Sequence, residues 1–328
     1  MGLLLLVLAL PAAPAAGDGD WEYRGEAGFV HPATGERKTP EEFLRHGEAL
    51  RKAGRSAEAV RVFDLAARHA PDPALAEAAR WELAETRYQA GEFHEAVRAF
   101  EDFIARHPQS DRATAAKRRL MESALELAHQ GHPEKVLGVP LLSSAKAGIE
   151  KLREALRRYP REDFSAEFYQ LLGLFYYDRG EYDAAEAEFS TVLEQYPEAD
   201  VTVPALFHLG LCRLNRFDGL AYDAKPLRDA KRHFDRFVEE ADRMSRISAR
   251  AEGWVRRYLP EARARLARIH ELLAEKELQA AEYYRWKGYP HSAAVGYRAV
   301  LRAFPDTRAA ERARRRLRET GPGDGSAP

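Results

Sequence analysis

Residues 180–197 read GEYDAAEAEFSTVLEQYP, with Gly180, Ala185, Phe189, Val192 and Pro197 as landmarks. The same spacing returns as Gly54, Ala59, Phe63, Ala66 and Pro71. It returns again from Gly91 to Pro108, as Gly91, Ala96, Phe100, Phe103 and Pro108, and finally as Gly288, Ala293, Tyr297, Val300 and Pro305. Internal repeats decide a fold before any single motif does. Each landmark has a physical role. The glycine ends a first helix where the chain needs φ > 0. The alanine permits close helix approach. The large apolar residue four positions later shares its face and packs between helices. The proline ends a second helix, because it lacks an N–H and disfavours helix in the residue before it.

A small residue sits within the first helix of five units, as Gly47, Ala84, Gly173, Gly210 and Ala281. With the landmarks above, this pattern resembles the tetratricopeptide repeat family. Two looser units add Leu152, Ala155 and Pro160, and Ala230, Phe234 and Phe237. The expected fold is all-α, a superhelical solenoid of about six helical hairpins between Pro40 and residue 318. Such a quasi-one-dimensional array favours protein or peptide binding over catalysis.

Charge is high but balanced, with a net of −1, so no bulk field selects nucleic acid or membrane. Basic residues gather at the end, as Arg308, Arg312, Arg314, Arg315, Arg316 and Arg318. They read as the solvated face of a capping helix. No aromatics interleave with them, which argues against a nucleic-acid partner. Cys212 is the only cysteine, in the apolar stretch Phe207–Cys212, and reads as a buried thiol. One cysteine allows no intrachain disulfide and no cysteine zinc cluster. No histidine–carboxylate spacing for a metal and no nucleophile–base pair stands out. The expectation is therefore no cofactor, no metal and no catalytic residue.

Residues 1–15 read as a secretory signal peptide. Leu3–Leu10 is apolar, Ala13-Pro14-Ala15 fits a cleavage site, and the run is too short to span a bilayer. No basic residue precedes the apolar run, and no cysteine follows it for lipid attachment. Residues 16–39 read as an extended arm whose Trp21, Tyr23 and Phe29 pack on the first repeat. Thr39, Pro40 and Glu42 then form a helix-start signal, with a capping box. Insertions at 131–144 and 215–226 interrupt the repeats, and 319–328 is a disordered tail.

The tetratricopeptide resemblance implies a groove lined by defined positions of each first helix. Carried onto this chain, these include Arg51, Lys52, Trp81, Glu85 and Tyr88, an aromatic and basic pocket suited to a peptide carboxylate. The competing reading makes Trp81 inter-repeat core. The last repeat narrows the resemblance. Residues 276–288, including Ala281-Glu282-Tyr283-Tyr284-Arg285-Trp286, with Ala293–Tyr297 and Phe304-Pro305-Asp306-Thr307, look like the last repeat of the BamD family of outer-membrane β-barrel assembly factors. That resemblance implies a non-enzymatic periplasmic scaffold in outer-membrane protein assembly. The barrel-assembly core protein would be a partner, and membrane association would come only through partners. The alternative is another envelope scaffold, of the Tol–Pal or cell-wall synthesis kind.

Overall fold

A computed structural model describes residues 21–130, 135–136, 139–140 and 144–319. The expected leader, most of the first insertion and residues 320–328 lie outside the described residues. The described residues fall into two compact units, split between Glu162 and Asp163. The fold is the expected all-α tetratricopeptide class.

The first unit opens with a correction. Residues 21–38 are a small antiparallel meander rather than an extended arm. Its strands are β1 (Glu22–Tyr23), β2 (Phe29–Val30) and β3 (Arg37–Lys38), in that order. Gly28 makes the turn possible. Its φ is +72°, and a Cβ there would lie 2.7 Å from the Lys38 carbonyl oxygen. Helix α1 (Pro40–Lys52) follows through the capping box: Glu42 N–H donates to Thr39 Oγ1, and Thr39 N–H donates to the Glu42 carboxylate. The meander caps this helix from the side. Phe29 stacks on Phe43 with ring centroids 4.0 Å apart, and Trp21 meets Phe43 edge-on. Sequence spacing could not foresee strands here, because two-residue strands leave no alternation to read.

Three hairpins build the rest of this unit. They are α1 with α2 (Ser56–His69), α3 (Pro73–Gln89) with α4 (Phe93–Arg106), and α5 (Ala113–His129) with α6 (Ser144–Arg158). Gly54 and Gly91 hold φ of 75° and 76° at the turns. Around Gly54 the last carbonyls of α1 are satisfied, since Arg55 N–H donates to Leu50 O and Gly54 N–H to Arg51 O. Before α6, two short strands pair antiparallel, β4 (Lys135–Val136) with β5 (Val139–Pro140).

The second unit repeats the scheme with α7 (Ser165–Asp178) and α8 (Tyr182–Gln195), then α9 (Thr202–Asn215) and α10 (Lys225–Ser245). The last hairpin is α11 (Ala249–Trp286) with α12 (Pro290–Ala303), capped by α13 (Arg308–Glu319). Small residues face large ones across the hairpins. A Cβ on Gly173 would lie 2.4 Å from the Phe189 ring, and one on Gly210 would lie 2.8 Å from the Phe234 ring. The second insertion is held down: Lys276 Nζ donates to the carbonyls of Leu220 and Tyr222 at 2.8 and 2.6 Å. The terminal arginines pair with acids of α11, Arg312 with Glu275 and Arg316 with Glu282, while Ala309, Ala310 and Ala313 are buried.

Helix α11 departs from the repeat. It runs 38 residues without a break, through Pro260 on its exposed side. It packs on α9 and α10 along its length up to Leu273, through Ala251, Val255, Ala262, Ile269 and Leu273. Its end forms a separate core with α12 and α13 through Ala274, Leu278 and Ala281. Among the described residues, no helix is long and apolar enough to cross a membrane.

Two expected results arise here. Cys212 is fully buried in α9, and burial pushes its thiol up to about 12. The thiolate is the nucleophile. A thiol reagent at mildly alkaline pH should therefore leave the native chain unlabelled and label it fully on unfolding; labelling of the native chain would contradict the burial. The second concerns His208, which is enclosed by Tyr177, Phe189, Phe207 and Tyr258. Burial lowers its pKa, against the opposing pull of its Nδ1–H bond to the Pro204 carbonyl at 2.7 Å. Burial likewise lowers His233 and His270. The unfolded chain therefore binds protons first. Stability is intact above the ordinary histidine pKa of about 6.5 and falls as pH drops below it. The melting midpoint should decline between about pH 7 and 5, and His208→Gln should flatten that decline. A midpoint constant across this range would refute the assignment.

Candidate functional site

The groove positions carried over from the sequence meet on the α1–α3–α5 side of the first unit. Arg51, in the last turn of α1, faces α3, and its Nη1 lies 2.8 Å from Glu82 Oε2 as an ion pair. Burial raises the Glu82 pKa, with Arg51 pulling the other way. One turn along α3, Glu85 is buried and accepts from Arg119 Nε of α5 at 2.8 Å. Arg119 also donates to Glu122 at 2.7 Å, and its guanidinium lies 4.7 Å from the centre of the Tyr88 ring. Burial, then the Glu122 charge, raise the Tyr88 phenol above its usual range. The chain thus builds an ion-pair ladder across three first helices, with aromatic rungs.

Trp81 serves both readings. It is half-buried, edge-on to Phe100 and Phe103 of α4 at 5.9 and 5.7 Å. Its other side faces the Arg112 guanidinium at 5.6 Å. Arg112 in turn borders a polar depression of about 390 Å³ at the start of α3, shared with Glu77, Gln109 and Ser110. Lys52 is exposed at the end of α1. The face is therefore aromatic and charge-balanced. Arg51 and Arg119 are each matched by carboxylates of this face.

Three members of this face were missed in the sequence: Glu82, Arg112 and Arg119. Glu82 lies one residue from Trp81, yet its partner comes from another hairpin. Arg112 and Arg119 belong to the unit that lacks the glycine landmark. Helical spacing from Arg112 to Arg119, two turns on one side, was the available signal.

In the second unit the same positions look inward to the chain itself. Phe207, three residues before Gly210, stacks on Tyr258 of α11 with centroids 4.5 Å apart, and Tyr258 stacks on Trp254. Tyr177 accepts from Asn215 Nδ2 and packs against this cluster. The N-terminal part of α11 thus covers the corresponding face of α9. Among the described residues no group of histidine, cysteine and carboxylate side chains could hold a metal ion.

These features define a tetratricopeptide protein-interaction scaffold. A tetratricopeptide repeat family model matches residues 78–110, the second hairpin with its turn. The model of the YfiO family, outer membrane lipoproteins, matches residues 142–320, more than half of the chain, and the chain belongs to that family. This agrees with the BamD resemblance of the last repeat. No curated protein matches the chain. Several solved structures are similar to the chain at low identity and low TM-score. A tetratricopeptide repeat protein from Parabacteroides merdae is 15% identical, with 86% of this chain and 98% of that one covered and a TM-score of 0.37. MamA from Desulfovibrio magneticus is 17% identical, covering 61% and 93%, with a TM-score of 0.35. A thermophilic protein of the same class from Thermus thermophilus is 22% identical, covering 66% and 99%, at 0.30.

Proposed function

We propose that this chain is a non-enzymatic scaffold of the cell envelope that holds protein partners during assembly of outer-membrane proteins. The observation that carries this reading is the outer membrane lipoprotein family match over residues 142–320. The apolar leader of the sequence supports export. The ladder of the first unit supports the mode of binding. Its charges are pre-arranged, with Arg51, Glu82 and Arg119 partly exposed and Glu85 buried beneath them, so an incoming segment with carboxylates and an aromatic side chain can engage the exposed members.

The test is capture from an envelope extract with the full chain as bait. Recovery of the barrel-assembly core protein is the expected result, and recovery of only unrelated proteins overturns the reading. The binding face has its own test. Arg51→Glu would set a like charge against Glu82, so it confounds binding with stability. Lys52 is exposed, so Lys52→Glu should leave the melting midpoint unchanged. It should weaken capture measurably but modestly, by up to about 1 kcal/mol, as the loss of a rim charge does. Undiminished affinity would move the site away from the end of α1.

A further inference from the structure

The last hairpin leaves exposed a helix face whose counterpart in α9 is buried. In α9, Leu206 and Leu209 lie four and one residues before Gly210, and both are buried. The same offsets from Ala281 fall on Glu277 and Ala280, and both are exposed; Tyr284 beyond them is 46% exposed. The cause is the length of α11. The preceding helix, α10, shares a core with α11 only as far as Leu273, and the core of the last hairpin contains no α10 residue. What remains is a groove of about 400 Å³ between α11 and α12, floored by Ala280 and Gly296 and walled by Tyr284 and Val295. Tyr283, Trp286 and Tyr289 stand exposed beside it. A contiguous exposed aromatic surface of this kind marks an interaction site.

We propose that a second copy of this chain fills the groove, with the ends of two α11 helices pairing antiparallel about a two-fold axis. Glu277, Ala280, Tyr284 and Lys287 are spaced three, four and three apart, so they form one stripe on the helix. An antiparallel pair centred on Glu282 sets Glu277 opposite the second copy's Lys287, and Ala280 opposite its Tyr284. Acid meets base and small meets large, twice over, as an isologous contact requires. Each Tyr284 enters the space above the other copy's Ala280. Lys287, now 4.7 Å from the Trp286 ring, keeps an aromatic neighbour at the rim of the contact. This inference goes beyond the proposed scaffold function and stands whether or not that function holds.

Sedimentation velocity of the full chain tests it, with circular dichroism to check folding. The wild type should be a dimer. Tyr284→Arg, an exposed position, should be a folded monomer. Glu277→Lys and Lys287→Glu should each raise the dimer dissociation constant by about tenfold or more. The double variant with both reversals should recover most of the wild-type association, because the pair is restored in the opposite sense. A wild type that stays monomeric overturns the proposal and leaves the groove to a helix of another protein. A double variant no better than its single parents overturns the antiparallel register.

Discussion

Phe189→Ala is expected to lower stability by roughly 3–5 kcal/mol. Phe189 is fully buried in α8, where its ring meets the bare backbone of Gly173 on α7 and the ring of His208 on α9. The first neighbour has no side chain to swing into a cavity. The second is held by its bond to the Pro204 carbonyl. Little can collapse into the vacated volume, so the cost should fall toward the upper end of the range. Denaturant unfolding of the full chain measures it, read at the transition that involves the second unit. An unchanged transition would mean that the Gly180–Pro197 landmarks do not place this ring between helices.

Gly148→Leu is the second large effect, and its cause is the reverse. Gly148 lies on α6 against α5, and a Cβ there would stand 2.4 Å from the Ala128 nitrogen and 2.5 Å from the Ala124 carbonyl oxygen. The obstacle is backbone, which cannot rotate aside. At Gly173 the obstacle is the Phe189 ring, which has some freedom to tilt. Overpacking commonly costs about 1–3 kcal/mol, and a substitution that must push α5 and α6 apart belongs at or above the top of that range. Even Gly148→Ala should lower the first unit's melting midpoint measurably. A Gly148→Leu variant as stable as the parent would show that α5 and α6 do not approach this closely.

The turns were the most legible feature of the sequence. A residue that must hold φ > 0 is written as glycine, so Gly54, Gly91, Gly180 and Gly288 announced four hairpins, and all four hold positive φ. The Gly47–Phe63 and Gly173–Phe189 contacts were also readable, because small and large landmarks must meet where helices cross closely. The extension of α11 was not readable. Its landmarks mark only the turn at Gly288, and Pro260 looks in sequence like a place where a helix stops. The charge state of the candidate site was hidden for a different reason. Arg51 and Glu82 are 31 positions apart, and Arg119 and Glu85 are 34 apart. Pairing between separate hairpins depends on their packing, whereas local spacing reports only the face of one helix. Arg51, Trp81 and Glu85 could therefore be placed on the groove side, while Glu82 and the pairing of each arginine with its carboxylate could not be assigned.

The long helix also changes how the second unit acquires its structure. In a regular array each helix must start anew, and forming a first turn is unfavourable, with a nucleation constant near 10⁻³, on the order of 4 kcal/mol. The core of α12 and α13 rests on Ala274, Leu278 and Ala281, which continue a helix already begun at Ser248 and already anchored on α9 and α10. Its central helix thus propagates from an existing template and incurs no second nucleation. Over 38 residues at 1.5 Å each, the helix is a rod roughly 57 Å long. The terminal hairpin is consequently joined to its neighbour by one unbroken helix, whose backbone ladder lacks only the bond that Pro260 cannot donate, as well as by side-chain packing, a coupling that ordinary turn-separated repeats lack.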